Sequence, residues 1–252
     1  MVADEMSGAP VVLITGAAAG IGLAVAIHLA NHGYRIVAVD IDRPALDAAF
    51  ARFHDRAVLR VVADIASAEG AERAVEAGVE HFGSLHALVN NAALHGKAWG
   101  GPCLDYSPEE WMKLFSVNVF AIVALAKAAL PALARSAGVV LNMSSMVGYG
   151  HGHSSPYAVS KAAVNGLTMS LSQELGRHGV RVVGLAPGFI NTPLVASGLD
   201  AAARERLMSL QAIKETGTPE DIAGIIAFLI SPAARLITGA TLLADLGITR
   251  RP

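Results

Sequence analysis

The sequence predicts an α/β fold built on a buried parallel sheet, and three features predict it. Residues 11–14 (VVLI) are apolar without polar alternation, as in a strand covered on both faces. A glycine-rich turn from Gly16 to Gly22 leads into the helical stretch 23–33, and a second strand-like run follows from Arg35 to Val39. Strand-like and helix-like segments then alternate through all 252 residues with no Pro/Gly/Ser linker, low-complexity stretch or solenoid-length repeat. One domain over residues 1–252 is therefore expected, with a flexible tail at 1–9.

Composition narrows the function classes. The net charge is -2 and no basic cluster occurs beyond Arg250-Arg251, which argues against a nucleic-acid partner. The single Cys103 excludes an internal disulfide and a Cys-rich metal site. The start, MVADEMSGAP, lacks the basic region of a signal peptide, and the apolar runs are broken by Gly, Pro or charge. No membrane partner and a cytoplasmic location are expected.

Taken in order, each element has a reason. The first βα turn reads Thr15-Gly16-Ala17-Ala18-Ala19-Gly20-Ile21-Gly22. Gly16 permits the tight turn. Gly20 and Gly22 admit a pyrophosphate and the neighbouring strand, and Ile21 starts a helix whose free N–H groups bind phosphate. The second strand ends in Asp40 and is followed by Ile41. An acid about 20 residues beyond the turn accepts hydrogen bonds from ribose hydroxyls and repels a 2′-phosphate. No Lys or Arg stands in the glycine loop, so NAD is expected over NADP. The competing reading makes Asp40 a helix cap before Pro44. A third strand at 58–63 ends in Asp64, which with Ile65 is placed to meet the adenine ring. Ser67 opens a helix to about 82, and 86–89 is a fourth strand leading into Asn90-Asn91-Ala92-Ala93.

Ser107, Pro108 and Glu109-Glu110 form a helix start, and that helix carries Asn118 toward Leu130. The apolar run 139–143 ends at Ser144-Ser145. Ser155 caps the next helix with Pro156 at its first position, so Tyr157 sits in the first turn and Lys161 on the same face one turn on. An ammonium and the helix dipole both favour the phenolate, which makes Tyr157 a general acid/base. Ser145 donates a hydrogen bond to an oxygen held beside it. A strand at 180–186 is broken by Pro187-Gly188, at the strand end where open α/β sheets bind ligands. Residues 193–212 are expected to be a substrate lid, Thr218 opens a helix through about 230, and 240–245 is the last strand.

Together these residues resemble the short-chain dehydrogenase/reductase family. The likeness runs from about 11 to 247: TGAAAGIG at 15–22, Asp64, NNAA at 90–93, Asn118 in SVNVF, the Ser145–Tyr157–Lys161 set and PGFINT at 187–192. The resemblance implies a single-domain, Rossmann-type doubly wound parallel sheet of about seven strands with helices on both faces. It implies that Asn91, backbone at Ile190 and the Thr192 hydroxyl help hold the cofactor, and that Asn118 holds a water linking Lys161 to solvent. It also implies a homotetramer. Two departures stand out. Ala93 replaces the usual glycine, and Ser145 lies 12 residues before Tyr157 where 13 is usual; Ser144 would restore 13. Ser145 is preferred because Asn-Met-Ser-Ser then aligns without a gap, and adjacent strand residues face opposite ways.

The expected reaction is reversible hydride transfer between NAD(H) and a secondary alcohol or ketone. Tyr157 moves the hydroxyl proton, Ser145 holds the oxygen, and Lys161 binds the nicotinamide ribose. The expected substrate pocket contains Ser145, Leu94, His95, Val147, His153 and Phe189, a mainly apolar set suited to a hydrophobic small molecule. His151 and His153 alternate in a Gly-rich loop that lacks further ligands, so no metal is expected. The alternatives are an NADP-dependent ketone reductase of the same fold and a non-catalytic nucleotide-binding scaffold.

Overall fold

Seven strands form one sheet: β1 (Val11–Thr15), β2 (Arg35–Asp40), β3 (Val58–Val62), β4 (Ala87–Asn90), β5 (Val139–Met143), β6 (Arg181–Pro187) and β7 (Thr241–Ala244). Their order is β3-β2-β1-β4-β5-β6-β7 and every neighbouring pair is parallel. The computed structural model describes residues 8–95, 101–150, 155–193, 195 and 201–249. The chain winds outward in both directions from β1, so the strand order reverses between β1 and β4. A crevice opens there at the carboxyl ends of the strands, the ligand position in such sheets.

The lack of alternation in β1 has a direct cause. Val11 and Leu13 point into one core with Leu88, Leu125 and Val164, while Val12 and Ile14 point into a second core with Val25, Leu29 and Ile226. The first core is covered by α3 (Ala68–Phe82), α5 (Ala121–Ser136) and α6 (Pro156–Gly176). The second is covered by α1 (Gly20–Asn31), α2 (Arg43–Phe50) and α8 (Pro219–Ile230). Between α6 and α8 lies α7 (Ala201–Leu210). All four side chains from Val11 to Ile14 are fully buried, each worth about 1.5–3 kcal/mol in transfer.

Helix starts follow their caps. Ser107 and Glu110 form a reciprocal capping box, as do Thr218 and Asp221. Ser155 Oγ accepts from the Ala158 N–H at 3.2 Å with Pro156 in the first turn. Strand ends differ from the sequence expectation by about one residue, and α2 adds a helix that sequence patterning did not delimit. The largest difference is the helix expected to stop near Leu130. It runs unbroken from Pro108 to Ser136 as α4 (Pro108–Phe115), a π turn (Ser116–Phe120) and α5 (Ala121–Ser136). Pro131 is tolerated inside it because it lies on the exposed side, where water can serve the carbonyl its missing N–H leaves. By length and composition this 29-residue helix could cross a membrane, but half of its most apolar window is buried and α5 packs on α3.

Candidate active site

The floor of the crevice is the β1–α1 turn. Gly16 and Gly20 adopt φ of +66° and +56°, left-handed values that favour glycine. A Cβ on Gly22 would lie 2.1 Å from the Gly16 carbonyl oxygen, so the loop closes on itself only with hydrogen there. Ala19 occupies the N-cap of α1 and supplies no side-chain cap, and no acid stands in the first turn. The positive end of that helix is thus open to an anion. Across the crevice, Asn91 clasps the loop: its Nδ2 donates to the Thr15 and Gly16 carbonyls at 2.9 and 3.2 Å, and its N–H donates to Thr15 Oγ1 at 3.1 Å. Ala93, two residues on, does not take a positive φ, so the side chain replacing the usual glycine sits without backbone strain.

Asp40 ends β2 with both carboxylate oxygens placed. Oδ2 accepts from the Ala18 N–H at 2.9 Å and Oδ1 from the Asp42 N–H at 3.1 Å. The helix cap that competed for Asp40 belongs to Asp42, whose Oδ1 accepts from Ala45. Ile41 is 66% exposed, an apolar side chain at the rim. Asp64 and Ile65 line the same end. On the far wall, Gly188 packs so tightly on Asp245 that a Cβ would come within 2.6 Å of its Cα. Thr192 Oγ1 accepts from Val195 and its methyl faces Gly20 across the cleft.

The chemistry-bearing side chains meet where β5 and α6 approach. Ser144 turns into the protein, 4% exposed, and its hydroxyl donates to the Lys161 carbonyl at 3.1 Å. Ser145 turns into the cavity and hydrogen-bonds the Tyr157 hydroxyl. Lys161 is buried, donates from Nζ to the Met143 carbonyl at 2.7 Å and lies 5.5 Å from the centre of the Tyr157 ring. Sequence reasoning expected Lys161 to draw the phenol toward ionisation. Instead burial pushes Tyr157 up to about 12, with the Ser145 hydrogen bond pulling the other way, and burial pushes Lys161 down to about 8. Desolvation outweighs attraction because the ammonium sits over the ring and is tied to a backbone carbonyl. At neutral pH Tyr157 therefore holds its proton.

Asn118 lies in the π turn, 1% exposed. Its Oδ1 accepts from the Leu94 N–H at 2.7 Å, and its Nδ2 donates to the Leu94 carbonyl at 2.9 Å and to Ser160 Oγ at 3.0 Å. Both side-chain N–H groups are thus committed within the protein. His95, next to Leu94, stacks on Tyr157 with ring centres 4.6 Å apart and planes 26° from parallel. Burial pushes its imidazole down to about 4, and Lys161 adds to the effect, so it is neutral at working pH.

All of this surrounds a cavity of about 840 Å³. Gly16, Gly20, Ile21, Asn91, Pro187 and Ile190 line it beside the residues already placed, as do Val147 and Phe189 at the other end. Gly22 and Asn118 act from behind the wall. His153, expected in the pocket, lies outside the described residues, as do Trp99, His151 and Leu194. Sequence reasoning missed Met146, Val195 and Leu207, and also Lys113, Ser116 and Val117. The last three share a helix face at i, i+3 and i+4, a signal present in the sequence.

Comparison with known proteins fits this architecture. The family profile described as enoyl-(acyl carrier protein) reductase, of the short-chain type, matches residues 16–249. The chain is a short-chain dehydrogenase/reductase. Within that family it is 36% identical over 246 residues to dehydrogenase/reductase SDR family member 4 of Sus scrofa, covering 96% of this chain and 88% of that protein. It is 36% identical over 243 residues to cis-4-hydroxycyclohexanecarboxylate dehydrogenase of Sinomonas cyclohexanicum, covering 95% and 96%. The crystal structure of 3-ketoacyl-(acyl-carrier-protein) reductase from Brucella melitensis with NADH superposes with a TM-score of 0.86 at 31% identity, covering 96% and 99%. As a short-chain dehydrogenase/reductase the chain is an oxidoreductase with a nucleotide cofactor.

Proposed function

We propose that this enzyme interconverts a hydrophobic secondary alcohol and its ketone with NAD, and that Tyr157 is its general acid/base. The observation that carries the reading is the meeting of Ser145, Tyr157 and Lys161 at one end of a cavity whose other end is a phosphate-ready glycine turn. The residues fit the cofactor. The uncapped start of α1 takes the pyrophosphate, and Asp40 and Ile41 take the adenosine ribose, where a fixed carboxylate repels a 2′-phosphate. Asp64 and Ile65 border the adenine, Asn91 shapes the floor, and Lys161 reaches the nicotinamide ribose. Backbone around Pro187, Gly188 and Ile190, with the Thr192 hydroxyl, holds the carboxamide. When bound, NAD accepts or returns the hydride.

The chain's own residues handle the proton and the oxygen. Ser145 donates a hydrogen bond to the substrate oxygen and so fixes it against Tyr157. In the reduction direction Tyr157, protonated at neutral pH, gives its proton to the carbonyl oxygen as the alcohol forms; in oxidation it first loses that proton to solvent, and the phenolate then takes the proton of the substrate hydroxyl. Most of the rate gain comes from this placement and from preorganised donors. Leu94, Val147 and Phe189 offer the substrate an apolar wall, which suits an alicyclic or aromatic ring. The name of the Sinomonas relative, cis-4-hydroxycyclohexanecarboxylate dehydrogenase, supports a ring substrate. α7 contributes Leu207 to the cavity and so covers part of the substrate end.

The test follows reduced-nicotinamide absorbance with NAD or NADP and a panel of cyclic secondary alcohols. We expect NAD-dependent turnover, falling by about 10²–10⁴-fold in Tyr157→Phe. Preference for NADP would overturn the cofactor reading. Full turnover by the variant would overturn the role of Tyr157.

A further inference from the structure

The contact between His95 and Tyr157 is built from behind. One buried amide, that of Asn118, holds both partners. It grips the backbone of Leu94 on both sides, N–H and carbonyl, and so fixes the residue that precedes His95. Its second N–H donates to Ser160 Oγ, which donates in turn to the Tyr157 carbonyl at 2.7 Å. The two rings are therefore set against each other by a single hydrogen-bonded frame, with their centres 4.6 Å apart. An offset ring pair at that spacing is attractive and covers one face of the phenol. Lys161 lies 5.5 Å from the same phenol ring and is buried.

We propose that His95 is a positioning residue for Tyr157: its imidazole, laid on the phenol ring, fixes the plane of that ring and keeps water from one face, so that the phenol oxygen stays aimed at the substrate oxygen. This rests on the dehydrogenase reading above. The role needs a flat, uncharged ring more than it needs a titratable one. Burial keeps the imidazole neutral through the working range, so no second cation arises beside Lys161. A phenyl ring at position 95 would supply the same cover, whereas a methyl group would leave the phenol free to turn and open to water.

The experiment compares His95→Ala with His95→Phe in two readouts. The first is steady-state kinetics on an alcohol that the wild type oxidises. The second, without cofactor, is a pH-jump absorbance titration of Tyr157, read as the difference between each protein and the same protein carrying Tyr157→Phe. For His95→Ala we expect kcat to fall between about tenfold and a hundredfold with KM for NAD unchanged. We expect its Tyr157 titration to move to lower pH, because water reaches the ring. His95→Phe restores both toward wild type. A wild-type kcat and titration in His95→Ala overturns the proposal, and so does a loss in His95→Phe as large as in His95→Ala. If the wild type oxidises no alcohol yet the titrations separate as expected, the dehydrogenase reading falls while the positioning role stands.

Discussion

Asp40 commits both carboxylate oxygens to backbone N–H groups, one in the glycine loop and one in the turn after β2. Its carboxylate is thus fixed at the end of β2 by backbone N–H groups. Asp40→Asn keeps an oxygen for Ala18 and removes the charge. We expect its preference for NAD over NADP to shrink by roughly tenfold or more, with little change in melting temperature; calorimetric titration of both nucleotides checks this. An unchanged preference would place the discrimination elsewhere. The place of this acid at the end of β2 was legible in the sequence because its spacing from the glycine turn is set by one βαβ unit. The same holds for Ser145 and Ser144, which face opposite ways as adjacent strand-end residues must. The ionisation of Tyr157 was not legible. It depends on how completely neighbours from several elements exclude water, and no local spacing encodes that.

At the scale of the element, the β1–α1 turn and the π turn between α4 and α5 frame the site from two sides, and they differ in how plainly they are written. The turn announces itself through glycines whose absence of a Cβ is structural. Gly22→Ala would drive a methyl group into the Gly16 carbonyl and the Asn91 amide, at 2.1 and 2.5 Å. Overpacking of that kind costs about 1–3 kcal/mol, and here it also displaces the N–H groups at the start of α1 to which we assign the pyrophosphate. We expect nucleotide binding to weaken by roughly tenfold or more while the sheet still forms, measured by NADH fluorescence titration beside far-UV circular dichroism. Wild-type binding by this variant would show that the loop does not close as described. The π turn at Ser116–Phe120 gave no such warning. SVNVF contains neither Gly nor Pro, and the turn arises because Asn118 bonds back to Leu94 and Ser160, residues distant in sequence.

The whole molecule is two cores pressed on the faces of one sheet, and the crevice exists because the chain leaves β1 in one direction and returns at β4 in the other. That central pair is sealed at its amino end by a titratable group. The Val11 N–H donates to Nδ1 of His86 at 3.0 Å, so this nitrogen must carry no proton. Partial burial lowers the His86 pKa from its ordinary 6.5, and the guanidinium of Arg35 lowers it further. A group whose folded pKa lies below its unfolded one binds the proton more readily when unfolded. Its contribution is full above about pH 6.5 and is lost as the pH falls through the folded value. His86→Asn puts a non-titrating oxygen near the same place. A neutral hydrogen bond of about 1 kcal/mol corresponds to about 2–4 °C in a chain of this size. We therefore expect wild type and variant to melt with a constant difference above pH 6.5, and the wild type to lose about that much more than the variant as the pH falls below 6.5 and through the folded pKa of His86. Differential scanning calorimetry across that range decides it. Parallel curves throughout would mean that the β1–β4 seam tolerates protonation, and that acid sensitivity arises in other parts of the fold.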